Sequence, residues 1–224
     1  MRIVKEHGER RNEILDCAEV LFTSKGYAQT TINDILDALS IAKGTFYHYF
    51  PSKEAVMDAV IARFIDTEIA AAKAVATDTE LSAHEKMFRI LSGAGRNNER
   101  NTKLEMEANA ANNAEMQQKT MASIVLGLSP LLTDIVVQGM KEGTFKTKYP
   151  KECIEILLAA SEFLLHCTVF QWDKVELLQK AKALSWAAEQ ILGVDEGSLR
   201  YLYTRYEQHT QGNTHCCIRG GTDD

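Results

Sequence analysis

The stretch from Thr30 to Lys53, TTINDILDALSIAKGTFYHYFPSK, constrains the fold of this chain more than any other. Thr31, with Asp34 three residues later, has the pattern of a capping box, which is typical of a helix start. Four apolar residues then recur at positions i, i+3, i+4 and i+7, which places them on one helix face: Ile32, Ile35, Leu36 and Leu39. The stretch therefore begins with a short amphipathic helix.

A second short helix is predicted from Thr45 to Phe50, after a break at Ser40. Phe46 and Phe50 are four residues apart and can both face inward, which leaves polar and aromatic side chains outside: Thr45, Tyr47, His48 and Tyr49. Such side chains suit hydrogen bonds to phosphates and base edges. Ser52 then caps a third helix. Two short helices joined by a tight turn predict a helix-turn-helix, whose second helix enters the DNA major groove.

The stretch resembles the DNA-binding signature of the TetR family of bacterial transcriptional regulators, without insertion. The matching positions are Thr30, Thr31, Ile35, Lys43, Gly44, Thr45, Tyr47, Tyr49, Phe50, Ser52 and Lys53. Two positions depart from the family pattern. Ser40 stands where a glycine usually ends the first helix of the motif, and Ala42 stands where a serine usually caps the second. The missing cap is expected to cost on the order of 1 kcal/mol.

The resemblance implies a set of DNA contacts. Tyr47 and Lys53 match positions that hold phosphates in the family, and Thr31 adds a hydroxyl and the N–H groups of a helix start. Gly44 lets the backbone approach the duplex closely. The other candidates for base or phosphate contact are Lys43, Thr45 and His48. The alternative is a helix-turn-helix that serves packing alone.

The charge of the chain is unevenly distributed. The 224 residues carry a net charge of −6, which argues against a protein that coats nucleic acid indiscriminately. Residues 1–53 hold seven basic and seven acidic side chains, so the whole negative excess lies in the remainder. A neutral N-terminal region can still bind DNA if its cations point one way.

Neither a membrane span nor a secretion signal is expected. The most apolar stretch, Cys153 to Phe170, is interrupted by Glu155, Glu162 and His166, and the N-terminus MRIVKEHGERR lacks an apolar block. We therefore expect a cytoplasmic protein. Its five cysteines are an odd number in no familiar framework, which favours reduced thiols.

The remaining sequence predicts helices only, and so an all-α fold. The predicted helices cover about 10–24, 52–76, 82–95, 102–119, 121–142, 150–170, 174–192 and 196–208, besides the two short helices above. We expect a three-helix helix-turn-helix domain over 1–53, continuing into the helix from Ser52. A C-terminal helical bundle for ligand binding and dimerisation is expected over 54–208, and a disordered tail over 209–224.

The resemblance also implies an inducer or corepressor in the C-terminal bundle, since bundles hold small molecules between their helices. The candidate lining residues are Phe88, Met106, Met121, Phe163, His166 and Trp172. Core packing is the alternative at each position, because aromatic and methionine side chains at helical spacing usually lie in a core. His166, between apolar neighbours, fits a core histidine better than a ligand-binding switch.

Motifs for catalysis or metal binding are not found in the sequence. It contains no Gly-rich phosphate loop, HExxH or GxSxG. His215, Cys216 and Cys217 are adjacent, which is not the spacing of a zinc site. We therefore expect neither an enzyme nor a protein with a metal or cofactor.

The sequence thus predicts a homodimeric, ligand-responsive, sequence-specific transcriptional regulator, preferentially a repressor. A two-fold dimer places its recognition helices about 34 Å apart, so its double-stranded DNA operator should be near-palindromic. Two alternatives stay open. One is an all-helical small-molecule-binding protein or enzyme with a vestigial DNA-binding head, and the other is an activator of the same fold.

Overall fold

The structure, a computed structural model, describes residues 7–92, 104, 114–165, 170 and 172–211. Regular secondary structure in these ranges is helical, as the sequence predicted. The helices are α1 (His7–Lys25), α2 (Ile32–Leu39), α3 (Lys43–Tyr49), α4 (Lys53–Ala76), α5 (Ala83–Leu91), α6 (Ala114–Glu142), α7 (Pro150–Leu164), α8 (Lys174–Leu192) and α9 (Tyr201–Gln211).

The described residues divide into two compact units. The first unit contains those of Met1–Thr67 and Asn97–Thr120, and the second contains those of Glu68–Arg96 and Met121–Asp224. Helix α4 contributes to both units, because the division falls after Thr67, inside the helix.

The core of the first unit is built from the apolar faces of its four N-terminal helices. Its buried side chains are Ile14, Leu15, Ala18 and Phe22 of α1, Ile35 and Leu36 of α2, Phe46 of α3, Phe50, and Val56, Met57 and Val60 of α4. Arg63 of α4 adds an ion pair to each of two carboxylates of α1, at 2.7 Å from Asp16 and 2.7 Å from Glu19. These contacts hold α2 and α3 against α1 and α4.

The second unit has an apolar core shared by five helices and the segments between them. Its buried members are Ala72, Ala83, Met87, Ile90, Leu132, Ile135, Val136, Phe145, Ile154, Leu158, Ala188, Leu192, Val194 and Leu199. Helix α8 packs against both α7 and α9. A polar chain also ties α5 to α6, because Lys86 donates to Gln138 and Gln138 donates to Glu142. Glu142 in turn accepts the free N–H of Ala83 at the start of α5.

Some predicted helix ends were wrong. Helix α6 begins at Ala114, so residues 114–119 belong to the same helix as residues 121–142. Of the predicted helix over 102–119, residues 102, 103 and 105–113 lie outside the described residues. Helix α6 continues through Pro130. Helix α7 ends at Leu164, short of the predicted 170. Helix α9 runs from Tyr201 to Gln211, so it begins and ends later than the predicted 196–208. Residues 212–224 of the predicted tail lie outside the described ranges.

The segment Gln117–Glu142 of α6 is long and apolar enough to cross a membrane by length and composition. Core helices of soluble proteins pass the same test. Helix α6 does bury Leu132, Ile135 and Val136 in the core of the second unit. Packing therefore accounts for the apolar character of these three positions, whereas Leu126 of the same segment is exposed.

Candidate nucleic-acid interface

The predicted capping box at the start of α2 is present. The Thr31 hydroxyl accepts the N–H of Asp34 at 3.2 Å, and the Asp34 carboxylate accepts the N–H of Thr31 at 2.7 Å. The Lys25 ammonium lies 2.7 Å from the same carboxylate. Hydrogen bonds from Lys25 and then from Thr31 lower the pKa of Asp34 from about 3.8 to about 2. Because the pKa is lowered on folding, the stability from this charge is present above pH 3.8 and is lost as the pH falls through 2.

The turn after α2 keeps its geometry although Ser40 replaces the usual glycine. Ser40 has φ 51° and ψ 45°, the left-handed conformation that favours glycine. Its N–H donates to carbonyls of the last turn of α2, and the N–H of Ile41 donates to Leu36 at 3.0 Å. The departure from the family pattern therefore adds local strain and leaves the turn intact.

The second departure removes a helix cap, as expected from the sequence. Ala42 is the N-cap of α3 and makes no side-chain hydrogen bond to the helix. A serine hydroxyl there would accept an N–H of the first turn of α3.

We therefore expect Ala42→Ser to raise the free energy of unfolding by about 1 kcal/mol in urea titrations. Ala38→Ser is the control, since Ala38 is exposed inside α2, where serine lowers helix propensity and caps nothing. Equal effects of the two variants would show that α3 gains nothing from a cap.

Helix α3 presents one face to solvent and buries the other. Phe46 and Phe50 are buried, as predicted, and their ring centroids are 6.3 Å apart. Tyr47 is 44% exposed, with the Lys43 ammonium 5.9 Å from its ring centroid. Gly44 is exposed beside them, and a Cβ added there would meet no atom within 4 Å. Two apolar anchors thus fix a helix whose outer face is polar and aromatic.

The other predicted contacts on α3 flank this face. His48 is exposed, and its ring centroid lies 5.0 Å from that of Tyr49. Thr45 is half-buried, and its N–H donates to the Ala42 carbonyl at 2.9 Å. Thr31 is exposed at the start of α2. The structure therefore groups Lys43, Gly44, Thr45, Tyr47 and His48 on α3 and sets Thr31 on the preceding helix.

Lys53 has a role in the fold that the sequence did not reveal. Its ammonium donates to the carbonyls of Tyr27 at 2.9 Å and Thr30 at 3.0 Å, and lies 4.3 Å from the Tyr27 ring centroid. These partners lie in the turn between α1 and α2, more than twenty residues earlier in the chain. Lys53 thus holds that turn next to Thr31, and its phosphate contact stays a prediction.

Four carboxylates of the first unit form ion pairs within the unit. Asp34 pairs with Lys25, Asp16 and Glu19 pair with Arg63, and Glu13 pairs with Arg10 at 2.7 Å. Helix α3, KGTFYHY, contains no acidic residue. The outer face of α3 therefore carries the charge of Lys43 with no carboxylate on the same helix.

The four predicted small-molecule residues that the structure describes do not form one group. Phe88 is exposed, with its ring edge-on to Tyr201 at 5.1 Å. Phe163, also exposed, meets Phe170 at 5.1 Å, and Phe170 stacks on Trp172 at 5.0 Å. Met121 is half-buried on α6, and Met106 and His166 lie outside the described residues. Phe163 and Trp172 therefore share one aromatic stack, to which Phe88 does not belong.

In the ranges that the structure describes, no group of three or more His, Cys, Asp or Glu side chains could hold a metal ion. Cys17 and Cys153 are half-buried, unpaired thiols. His215, Cys216 and Cys217 lie outside those ranges.

Comparison with known proteins agrees with this architecture. Residues 14–60 match the family described as bacterial regulatory proteins, tetR family. Residues 94–186 match the tetracyclin repressor-like C-terminal domain.

Two relatives named as transcriptional repressors match this chain over short segments. The HTH-type transcriptional repressor KstR2 of Rhodococcus jostii is 46% identical over 57 residues, which are 25% of this chain and 28% of that protein. KstR2 of Mycobacterium tuberculosis H37Rv is 37% identical over 65 residues, which are 29% of this chain and 32% of that protein. The chain thus matches less than a third of the length of these relatives.

Solved structures share the fold over nearly the whole chain. GusR of Salmonella enterica superposes with a TM-score of 0.59 at 20% identity, covering 85% of this chain and 98% of that one. RolR, solved with resorcinol bound, gives a TM-score of 0.61 at 18% identity, covering 88% and 94%. The signature on α2 and α3, both family matches and the shared fold lead to one conclusion: the chain belongs to the TetR family of bacterial regulatory proteins.

Proposed function

We propose that the chain is a sequence-specific DNA-binding transcriptional repressor. The observation that carries this proposal is the outer face of α3, where Lys43, Gly44 and Tyr47 stand exposed over the buried Phe46 and Phe50. A helix of this kind enters the major groove, and its cation and hydroxyl bind phosphates and base edges. The relatives from Rhodococcus and Mycobacterium are named as repressors, which supports repression over activation.

The second unit supports a homodimer as the form that binds DNA. Helices α7 and α8 pack together and expose large apolar side chains, with Ile156 and Phe163 on α7 and Val175 and Trp186 on α8. Exposed apolar side chains in this number are typical of a protein–protein interface. A second copy would bury them in a two-fold arrangement of four helices and bring two α3 helices to one DNA site.

The proposed regulation is a shift between two states of the dimer. A small molecule that prefers the state in which the two α3 helices do not fit one DNA site would lower the affinity for DNA. Bound DNA would lower the affinity for that molecule by the same factor. A molecule with equal affinity for both states would change nothing. Helix α4, which contributes residues to both units, is the element that we propose to carry the change. RolR, with resorcinol bound, is a structural neighbour that supports a small-molecule site.

Gly44→Ala tests the DNA contact directly. The added Cβ meets nothing inside the protein, and alanine favours a helix over glycine, so thermal stability should be unchanged or higher. The same methyl group would separate the backbone from a duplex. We expect affinity for a selected DNA site to fall about tenfold or more, because hydrogen bonds to charged phosphates would be lost. Fluorescence anisotropy titrations measure this affinity.

Gly8→Ala is the matched control, because a Cβ at this exposed position of α1 also meets nothing within 4 Å. It should leave DNA affinity within about twofold, since no contact is lost. If Gly44→Ala binds DNA as the unchanged chain does, α3 does not lie against the duplex. That result would favour a small-molecule-binding protein with a vestigial head.

A further inference from the structure

Two hydroxyls on α6 are buried and have no hydrogen-bond partner in the described structure. They are the Oγ of Ser129 and the Oγ1 of Thr133. Ser129 is 2% exposed, and Thr133 is half-buried with its oxygen inaccessible. A buried hydroxyl without a partner costs about 1–3 kcal/mol, so each of the two requires an explanation.

Five serine and threonine hydroxyls in or directly after helices of this chain bind a nearby backbone carbonyl. The hydroxyl donates to the carbonyl four residues earlier, at 2.6 to 3.2 Å, in Thr23, Ser24, Thr67, Thr77 and Thr204. The same local acceptor type exists on any α-helix. The hydroxyls of Ser129 and Thr133 make no such hydrogen bond.

The two hydroxyls belong to one face of α6. Positions four residues apart are neighbours on a helix, with about 5–6 Å between their Cβ atoms. Leu132 and Val136, at the same spacing pattern, lie in the apolar core of the second unit. The oxygens of Ser129 and Thr133 therefore form a polar pair on an otherwise apolar face.

Elsewhere in the second unit, the hydroxyl oxygens of Ser198 and Tyr201 are also buried without a partner, whereas the buried side chains of Lys86, Ser185 and Glu189 are hydrogen-bonded. Lys86 donates to Gln138 at 2.7 Å. Ser185 donates to the carbonyl of Leu199, whose N–H donates to Glu189, both at 2.9 Å. These three side chains already have structural partners, whereas Ser129 and Thr133 place two unpartnered neutral hydroxyls four residues apart on one helix.

We propose that Ser129 and Thr133 are the polar contacts of the small-molecule site, and that this site takes an uncharged, mainly apolar molecule with an N–H, hydroxyl or carbonyl group. The inference deepens the proposed function, on which it rests. Two neutral hydroxyls can donate to and accept from such a group. They cannot compensate the desolvation of an ionised one, which would be far more costly among apolar side chains.

Two fluorescent probes with the same aryl-amine framework test the proposal on the full chain. N-phenyl-1-naphthylamine is neutral and has one N–H, and 8-anilino-1-naphthalenesulfonate adds a sulfonate. We expect saturable binding of the neutral probe and at least about tenfold weaker binding of the anionic one. Ser129→Ala and Thr133→Val should each lower affinity for the neutral probe about threefold to tenfold.

The same variants should be more stable than the unchanged chain without probe, because each removes an unsatisfied buried oxygen. We expect the Tm to rise by about 2–4 °C. Ser161→Ala is the control, since the Ser161 hydroxyl of α7 already donates to the Leu158 carbonyl at 2.9 Å. Ser161→Ala replaces serine by alanine in a helix, as Ser129→Ala does, so both variants gain the same helix propensity. The affinity of Ser161→Ala for the neutral probe should not change.

Three results would overturn the proposal: no saturable binding of the neutral probe, unchanged affinity in both variants, or a lower Tm in both. Equal affinity for the anionic probe would overturn the assigned ligand class. Since the probes require no DNA, these outcomes are independent of DNA binding. If the variants behave as expected and the chain selects no DNA site, the small-molecule site stands and the regulator proposal fails.

Discussion

Lys53→Met should lower the free energy of unfolding of the first unit by about 2–4 kcal/mol and abolish binding to a selected DNA site. The ammonium is the donor to two carbonyls, of Tyr27 and Thr30, and methionine donates nothing. The thioether would retain the packing of the chain stem against Tyr27, so the loss reports the hydrogen bonds. Because the turn leads directly into Thr31, its release should also displace the start of α2.

Lys43→Met is the matched control, the same substitution at an exposed lysine of α3. It should leave the urea midpoint unchanged. The slope of log K for DNA binding against log salt concentration should become shallower by about 0.9, which corresponds to the loss of one phosphate contact. If Lys53→Met instead leaves stability unchanged and lowers only the salt slope, Lys53 acts as a phosphate contact alone.

Trp186→Asp should convert the dimer to a monomer and lower affinity for a two-fold DNA site by about 100-fold or more. Trp186 is 58% exposed on α8 in the isolated chain. An ionised carboxylate buried between two copies without a partner would cost more than the interface can offset. The monomer then binds with one α3 helix and loses the high effective concentration of the second.

Leu126→Asp is the control for Trp186→Asp. Leu126 is 74% exposed and lies on α6, outside the proposed interface on α7 and α8. It should remain dimeric in sedimentation equilibrium and bind DNA normally. A dimeric Trp186→Asp chain, or a monomeric Leu126→Asp chain, would place the interface elsewhere.

Local signals in the sequence were sufficient to predict several elements. The capping box of Thr31 and Asp34 is read from a spacing of three residues, and the structure contains both of its hydrogen bonds. Helix α8 has the predicted bounds, because Asp173 caps its start and Gly193 ends it in the left-handed conformation. The inward positions of Phe46 and Phe50 followed from helical period alone.

Features that depend on tertiary contacts were beyond the sequence. The partners of Lys53 lie 23 and 26 residues away, so no local pattern links them. Aromatic residues at helical spacing also gave no indication of which neighbour each would meet. Phe163 therefore lies in an aromatic stack with Phe170, whereas Phe88 meets Tyr201.

Helix α6 has two features that the sequence did not predict: its first residue, and the environment of two of its hydroxyls. The polar residues from Ala114 lack apolar periodicity, so the start of α6 was placed too late. Ser129 and Thr133 read as ordinary polar positions in an apolar helix. Only the burial of their oxygens without partners distinguishes them from the other helical hydroxyls.

Selection of binding sites from a random double-stranded DNA pool is the most direct test of the central claim, that paired α3 helices read DNA. At low salt, the account predicts enrichment of one inverted repeat whose half-site centres lie about 10 base pairs, or a multiple of one helical turn, apart. Gly44→Ala should enrich the same repeat far more weakly. Recovery of an unselected pool, or of a site without two-fold symmetry, would contradict the account.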